Sequence, residues 1–228
     1  MVRGLSIIIV TIMFLLMTVG AVMAFFKMPF ENLRKTFHFA FLFIVTIWLY
    51  AFDDWKTSAV TMFVFMLIAY PILCAFDRIP FLAEHLPQRK KGEFKQSLIA
   101  AASMYIVVVI IGWGLMKNKS LSLAAIYAWG PGDAAAALIG KRYGKHKIGK
   151  QKKKSLEGSA SMFIMSYVFT TAILAYNNVF TLGQSLIVSF FTALVTAYVE
   201  LMVLSGYDTF FCPIAAIIVL SIFKYFIG

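Results

Sequence analysis

Along the chain, apolar residues gather into runs of about the length a helix needs to cross a bilayer core, ~20 residues at a rise of ~1.5 Å each. Eight such runs are expected, at 5–26, 36–52, 58–76, 97–116, 120–139, 159–176, 182–204 and 209–227. Short polar or charged stretches separate them. The first run contains Val22-Met23-Ala24, which resembles a small-residue cleavage site. Its apolar core is longer than the ~7 to 15 residues of a signal peptide, so it is expected to stay as a membrane helix. The fifth run carries Gly130-Pro131-Gly132. Proline removes a backbone donor and the glycines relax the chain, so the helix is expected to break there and restart at Asp133 with the small residues of AAAALIG. The fold class that follows is an all-α, polytopic membrane helical bundle of about eight transmembrane helices. It forms a single membrane domain over 1–228, with N-terminal helices over 1–96 and a catalytic core over 97–228.

Composition agrees with that class. Of the 228 residues 61% are hydrophobic and 14% charged, and the mean hydropathy is +0.86, whereas a soluble domain is about half apolar and about a quarter charged. The net charge of +11 would suggest a nucleic-acid partner in a soluble chain. Here the cations orient helices, and no nucleic acid is implied. Cys74 and Cys212 lie in or beside apolar runs with no metal-ligand or disulfide spacing, and read as buried thiols.

The positions of the cations set a topology. Connections at 27–35, 77–96 and 140–158 hold 3, 5 and 8 Lys or Arg, against Arg3, Lys56, Lys117, Lys119 and Lys224 on the other side. The bias expects both termini outside and the basic connections in the cytoplasm. Of the ten acids only Asp53 and Asp54 fall outside; Glu31, Asp77, Glu84, Glu93, Asp133, Glu157, Glu200 and Asp208 lie on or toward the cytoplasmic side. Cation bias does not require that skew in the acids, so a cytoplasmic site for an anion held with a cation is expected.

The densest chemistry lies between Gly130 and Ser159. Asp133 at a helix start reads either as an N-cap or, given the cost of a carboxylate inside an apolar span, as a Mg²⁺ ligand. The basic loop after it has Gly140, Lys141 and Gly144, whose amides and side chains could surround phosphates, or which simply form a topogenic loop touching anionic lipid. Gly144 to Lys150 fits G-x-x-x-x-G-K, but Gln151 stands where a P-loop needs Ser or Thr, and no strand is expected before it, so that motif is rejected. In Lys154-Ser155-Leu156-Glu157-Gly158, Ser155 reads as a cap and Glu157 as a complement to the helix dipole. A Mg²⁺–nucleoside triphosphate needs a carboxylate, a lysine and close backbone approach at glycine, and Asp133, Lys154 and Gly158 supply them.

These residues resemble the dolichol kinase and phytol kinase family of CTP-dependent polyprenol (lipid-alcohol) kinases, related to the phosphatidate cytidylyltransferases. The likeness rests on Asp133-x-x-Ala136-x-x-x-Gly140-x-x-x-Gly144, then Lys154-x-x-Glu157-Gly158, then Glu200, Asp208 and Pro213, over about the last 100 residues. Arg34-Lys35-x-x-His38 and Gly92-Glu93 are similar to elements of the phytol kinase branch; Thr209 stands where many relatives have Asn. The resemblance implies transfer of the γ-phosphate of CTP, with Mg²⁺, to a membrane lipid alcohol of polyprenol, phytol, farnesol or diacylglycerol type, at a site on the cytoplasmic face. By carry-over, Asp133, Lys154, Glu157 and Gly158 belong to the nucleotide and metal site, and Glu200 and Asp208 complete the metal ligands with Asp133. Arg34, Lys35 and Glu93 become phosphate or acceptor contacts. His38 is either the general base for the acceptor hydroxyl or an interfacial histidine bonded to a carbonyl.

Two other readings compete. A cytidylyltransferase would attack the α-phosphate of CTP with phosphatidate, but its Gly-His-Gly-Gly and lysine-aspartate signatures do not occur here. A transporter would use a broken helix and intramembrane acids as a substrate path, but the Gly-Pro-Gly break has no repeat in the first half of the chain.

Overall fold

The computed structural model describes residues 6–7, 11, 30–78, 92–148, 154–204 and 206–227, with the side chains of 30–37, 76 and 77 outside that description. Its helices are α1 (Phe30–Ala51), α2 (Trp55–Arg78), α3 (Glu93–Val108, widening into a π-helical stretch over Val109–Leu115), α4 (Lys119–Tyr143), α5 (Leu156–Tyr176), α6 (Leu182–Met202) and α7 (Asp208–Ile227). Five of these are long and apolar enough to cross a membrane: α2, α3 with its π stretch, α5, α6 and α7. The protein is an all-α, multi-pass membrane bundle. The expected first span lies almost wholly outside the described residues. The chain forms two compact units, 1–106 and 107–228, whose boundary falls inside α3.

In the first unit the core is aromatic. Trp48 is fully buried, donates its indole N–H to Thr11 Oγ1 at 2.7 Å, and meets Phe65 and Tyr105 edge to face. The Tyr105 hydroxyl shares a 2.7 Å hydrogen bond with Ser58 Oγ. Each polar tip buried among rings thereby has a partner, which burial requires. Asp54 starts α2 by accepting the Thr57 amide at 2.8 Å, an ordinary cap.

The second unit is built around α4, which packs against α5, α7, the π stretch and α6. From Leu121 to Ala134 every residue of α4 is buried except Tyr127 and Asp133, which are half-buried. This helix is not among the five apolar ones. A helix enclosed by protein needs small residues for close approach more than it needs bulk hydrophobicity.

Two expectations are corrected here. First, α4 runs unbroken through Gly130-Pro131-Gly132. Pro131 deprives the Tyr127 carbonyl of its donor, and Ser166 of α5 donates its hydroxyl to the next carbonyl, that of Ala128. The bond ties α5 to α4 next to the proline, at a carbonyl one residue beyond the one Pro131 leaves without its helical donor. Second, the connection between α4 and α5 contains a small antiparallel ladder, β1 (Lys147–Ile148) with β2 (Lys154–Ser155), pairing Lys147 with Ser155 and Ile148 with Lys154. Lys154 therefore sits on a strand, two residues before the helix. The rejected P-loop stays rejected, since the element before Gly144 is helix α4.

Helix α5 crosses α4 along small residues. A Cβ on Gly132 would lie 2.5 Å from Met162 Sδ, and one on Gly158 would lie 3.0 Å from the Ala136 carbonyl oxygen and 3.3 Å from Gly140 Cα. Positions 132, 136 and 140 of α4, four apart, thus face positions 158, 162 and 166 of α5, an arrangement close to the small-xxx-small pairing of membrane helices. Outward, α5 to α7 present Ile164, Val168, Ile187, Phe190, Phe211 and Ile218. Inward they bury hydroxyls, among them Thr192, bonded to Val188 O at 2.8 Å, and Thr196, bonded to Thr192 O at 2.7 Å.

Candidate functional site

The site residues of the second unit come from four elements, α4, β2, α6 and α7. Asp133 lies midway along α4, one residue beyond the glycine that brings α4 against α5. Lys154 reaches from β2 to the last turn of α6, where its ammonium meets Glu200 Oε1 at 2.7 Å and also donates to the Glu200 carbonyl. Both side chains are largely buried, at 17% and 9% exposure. The carbonyl end of α6 carries the negative pole of its dipole, so a cation there is doubly matched.

Asp208 opens α7. Its Oδ1 accepts the amides of Gly206 at 3.0 Å and Thr209 at 3.1 Å. Gly206 has φ +99°, a left-handed conformation that favours glycine. Thr209, where many relatives are expected to carry Asn, donates its backbone amide to Asp208. Asp133 and Lys154 are both within electrostatic range of Asp208, and all four charged groups, Asp133, Lys154, Glu200 and Asp208, are within range of the buried Cys212.

The loop between α4 and α5 is fixed from the other side. Ser155, 3% exposed, caps α5 by accepting the Gly158 amide at 3.2 Å. Glu157 Oε1 accepts the amides of Lys145 and His146, each at 3.3 Å, and Oε2 lies 3.4 Å from the His146 amide. The imidazole Nδ1 of His146 lies 2.8 Å from Glu157 Oε1. The carboxylate of Glu157 thereby holds the turn after α4 onto the first turn of α5.

The chain is similar to plant phytol kinases. It is 26% identical over 87 residues to a probable chloroplastic phytol kinase of Triticum aestivum (38% of this chain, 28% of the relative). It is 33% identical over 86 residues to probable phytol kinase 1 of Glycine max (36% and 28%), and 29% identical over 140 residues to probable phytol kinase 3 of the same plant (58% and 43%). The chain thus spans less than half the length of these curated relatives. No protein-family model matches it, and no solved structure matches it.

Of the residues singled out from the sequence, Asp133, Lys154, Glu200 and Asp208 are brought together. Gly140, Gly144 and Gly158 lie at the α4–α5 crossing and against Ser155; a Cβ on Gly144 would come within 2.6 Å of Ser155 Oγ. Their close approach is to one another's backbone and to the Ser155 side chain. Lys141 is exposed on the last turn of α4. His38, half-buried on α1 and edge to face with Phe39, and Glu93, at the start of α3, belong to the other unit. The side chains of Arg34 and Lys35 lie outside the described residues. His146 entered the sequence reading only as part of a basic loop. Its pairing with Glu157, eleven residues on, depends on the loop folding back, for which the sequence has no periodic signal.

As to a metal, no group of three or more His, Cys, Asp or Glu among the described residues is arranged to hold one. The Glu200 carboxylate is engaged by Lys154. Asp133 and Asp208 lie within electrostatic range of each other, and Mg²⁺ in nucleotide sites commonly takes one or two carboxylates, with phosphates and water completing its shell. A pair of carboxylates fits the needs of a Mg²⁺ carried in with a nucleotide.

Proposed function

We propose that this protein is a CTP-dependent kinase that transfers the γ-phosphate to the hydroxyl of a membrane lipid alcohol, at a site on the cytoplasmic face. The observation that carries the reading is the gathering of Asp133, Asp208 and the Lys154–Glu200 pair, in a chain similar to phytol kinases. Asp133 and Asp208 would hold Mg²⁺. When bound, the ion would screen the triphosphate charge and orient the γ-phosphate. Lys154 would face the phosphates, kept in place by Glu200, which on this geometry acts through the lysine. Asp208 suits its role because backbone amides fix one carboxylate oxygen and so orient the other. Lys141, Lys145 and Lys147, all exposed, would draw the anionic nucleotide to the loop. The acceptor is a lipid alcohol of the phytol, farnesol, polyprenol or diacylglycerol type.

Reconstituted proteoliposomes supplied with labelled CTP test this directly. The γ label should enter the lipid fraction and the α label should not, with Asp133→Asn and Asp208→Asn each reducing transfer by ~100-fold or more. Incorporation of the α label would make the protein a cytidylyltransferase, and incorporation of neither label would remove the enzymatic reading.

A further inference from the structure

We infer that Glu157 is a positioning residue for the transfer: its carboxylate sets the register of the β1–β2 ladder, and the ladder holds Lys154 beside Glu200; this rests on the kinase reading above. Its contacts go to the turn after α4. Oε1 accepts the amides of Lys145 and His146, each at 3.3 Å, and lies 2.8 Å from His146 Nδ1. A carboxylate only accepts, so all three groups donate to that one oxygen. The other oxygen lies 3.4 Å from the His146 amide. A carboxylate so engaged, in the amide-rich first turn of α5, suits that turn and not a triphosphate, which it would repel.

From this anchor to Lys154 the path is short. The His146 carbonyl accepts the Leu156 amide at 2.9 Å, and the ladder continues with Lys147 opposite Ser155 and Ile148 opposite Lys154. Ser155 is fixed as well: its Oγ accepts the Gly158 amide at 3.2 Å, and a Cβ on Gly144 would come within 2.6 Å of that oxygen, so Ser155 packs directly against the end of α4.

The ladder has only these two pairs, and even a full two-stranded hairpin is marginal by itself in water. Its register is therefore set where the strands leave for the helices, and there Glu157 bonds the residue preceding β1. A slip of one residue would turn Lys154 to the opposite face of the ladder. That would take its ammonium from Glu200 Oε1, now at 2.7 Å, and from the Glu200 carbonyl. Glu157 thus acts on the phosphates through the lysine, from the strand side, as Glu200 does from the side of α6.

The test compares wild type, Lys154→Met, Glu157→Gln, Glu157→Ala and Lys154→Met/Glu157→Gln in proteoliposomes with γ-labelled CTP and a phytol-type alcohol, with hydrogen exchange followed at the Leu156 amide. Glutamine keeps one acceptor oxygen and drops the charge, so it separates holding the turn from direct contact with a metal ion. The double variant uses glutamine so that the cycle does not depend on Glu157→Ala folding. Misplacing a group by about an ångström costs up to ~100-fold, so kcat/KM for CTP should fall ~100-fold in Glu157→Ala and roughly tenfold in Glu157→Gln. The loss should divide between kcat and KM as it does in Lys154→Met. In the Lys154→Met background, Glu157→Gln should cost no more than about twofold further. The Mg²⁺ requirement should not change in Glu157→Gln, and exchange at Leu156 should quicken in both single Glu157 variants. Additive losses, a raised Mg²⁺ requirement, Glu157→Gln as damaging as Glu157→Ala, or unchanged exchange at Leu156 would each overturn the positioning role while leaving the kinase reading intact. Absence of γ transfer in wild type would instead remove the kinase reading, and this role with it.

Discussion

Replacing Glu200 by Gln tests the most buried charge pair of the site. The Lys154 ammonium and Glu200 carboxylate are 2.7 Å apart at 17% and 9% exposure. At an effective dielectric constant of ~20 their attraction is about 6 kcal/mol, and desolvation of both groups offsets much of it. Glutamine preserves the shape and one acceptor, and the main-chain carbonyl of Glu200 still receives the ammonium, so the cost is that of leaving a buried lysine without its counter-charge. Broken buried pairs cost ~3 to 5 kcal/mol; with the carbonyl retained, about 3 kcal/mol is expected. For a chain of this size that lowers the melting temperature by roughly 6 to 12 °C. A double-mutant cycle with Lys154→Met, read by thermal or detergent unfolding, should give a coupling energy of about 2 to 3 kcal/mol, with Lys154→Met/Glu200→Gln more stable than additivity allows. A coupling below about 0.5 kcal/mol would refute the reasoning, because two charges so placed cannot be energetically independent.

Two further outcomes follow from other parts of the fold. Gly158→Ala places a methyl 3.0 Å from the Ala136 carbonyl and 3.1 Å from Ser155 Oγ, so it should destabilise by ~1 to 3 kcal/mol, whereas Gly183→Ala on α6, with nothing within 4 Å, should stabilise by roughly 0.5 kcal/mol; unfolding of both variants checks the contrast. The Thr57 hydroxyl and then the Thr57 amide hold the Asp54 carboxyl below its ordinary 3.8. Its contribution to the start of α2 is thus complete above that value and is lost as pH falls through the lower folded value. Hydrogen exchange at Thr57 should accelerate over that acidic window in wild type and show no such dependence in Asp54→Asn.

The sequence by itself determined the membrane class and most of the helix positions. Hydropathy is a property of consecutive residues, and a bilayer imposes the same length on every span. It also determined which acids to suspect, because a carboxylate such as Asp133 or Glu200 inside an apolar run is costly wherever the run packs. Ser155 was legible as a cap because capping is local to one turn. Tertiary structure decided what depends on a neighbour. Pro131 marks a lost donor, but the sequence does not say how α5 packs against that turn, so a break was expected where α4 continues. Gly140 and Gly158 are close in space through the α4–α5 crossing, a contact that no local pattern announces. That Glu200 meets Lys154, and that Glu157 in the first turn of α5 also holds the returning loop, are pairings the sequence does not show. Helix length is fixed by one solvent acting on one segment, whereas a partner is fixed by the angle and depth at which two segments meet, and only the folded chain sets those.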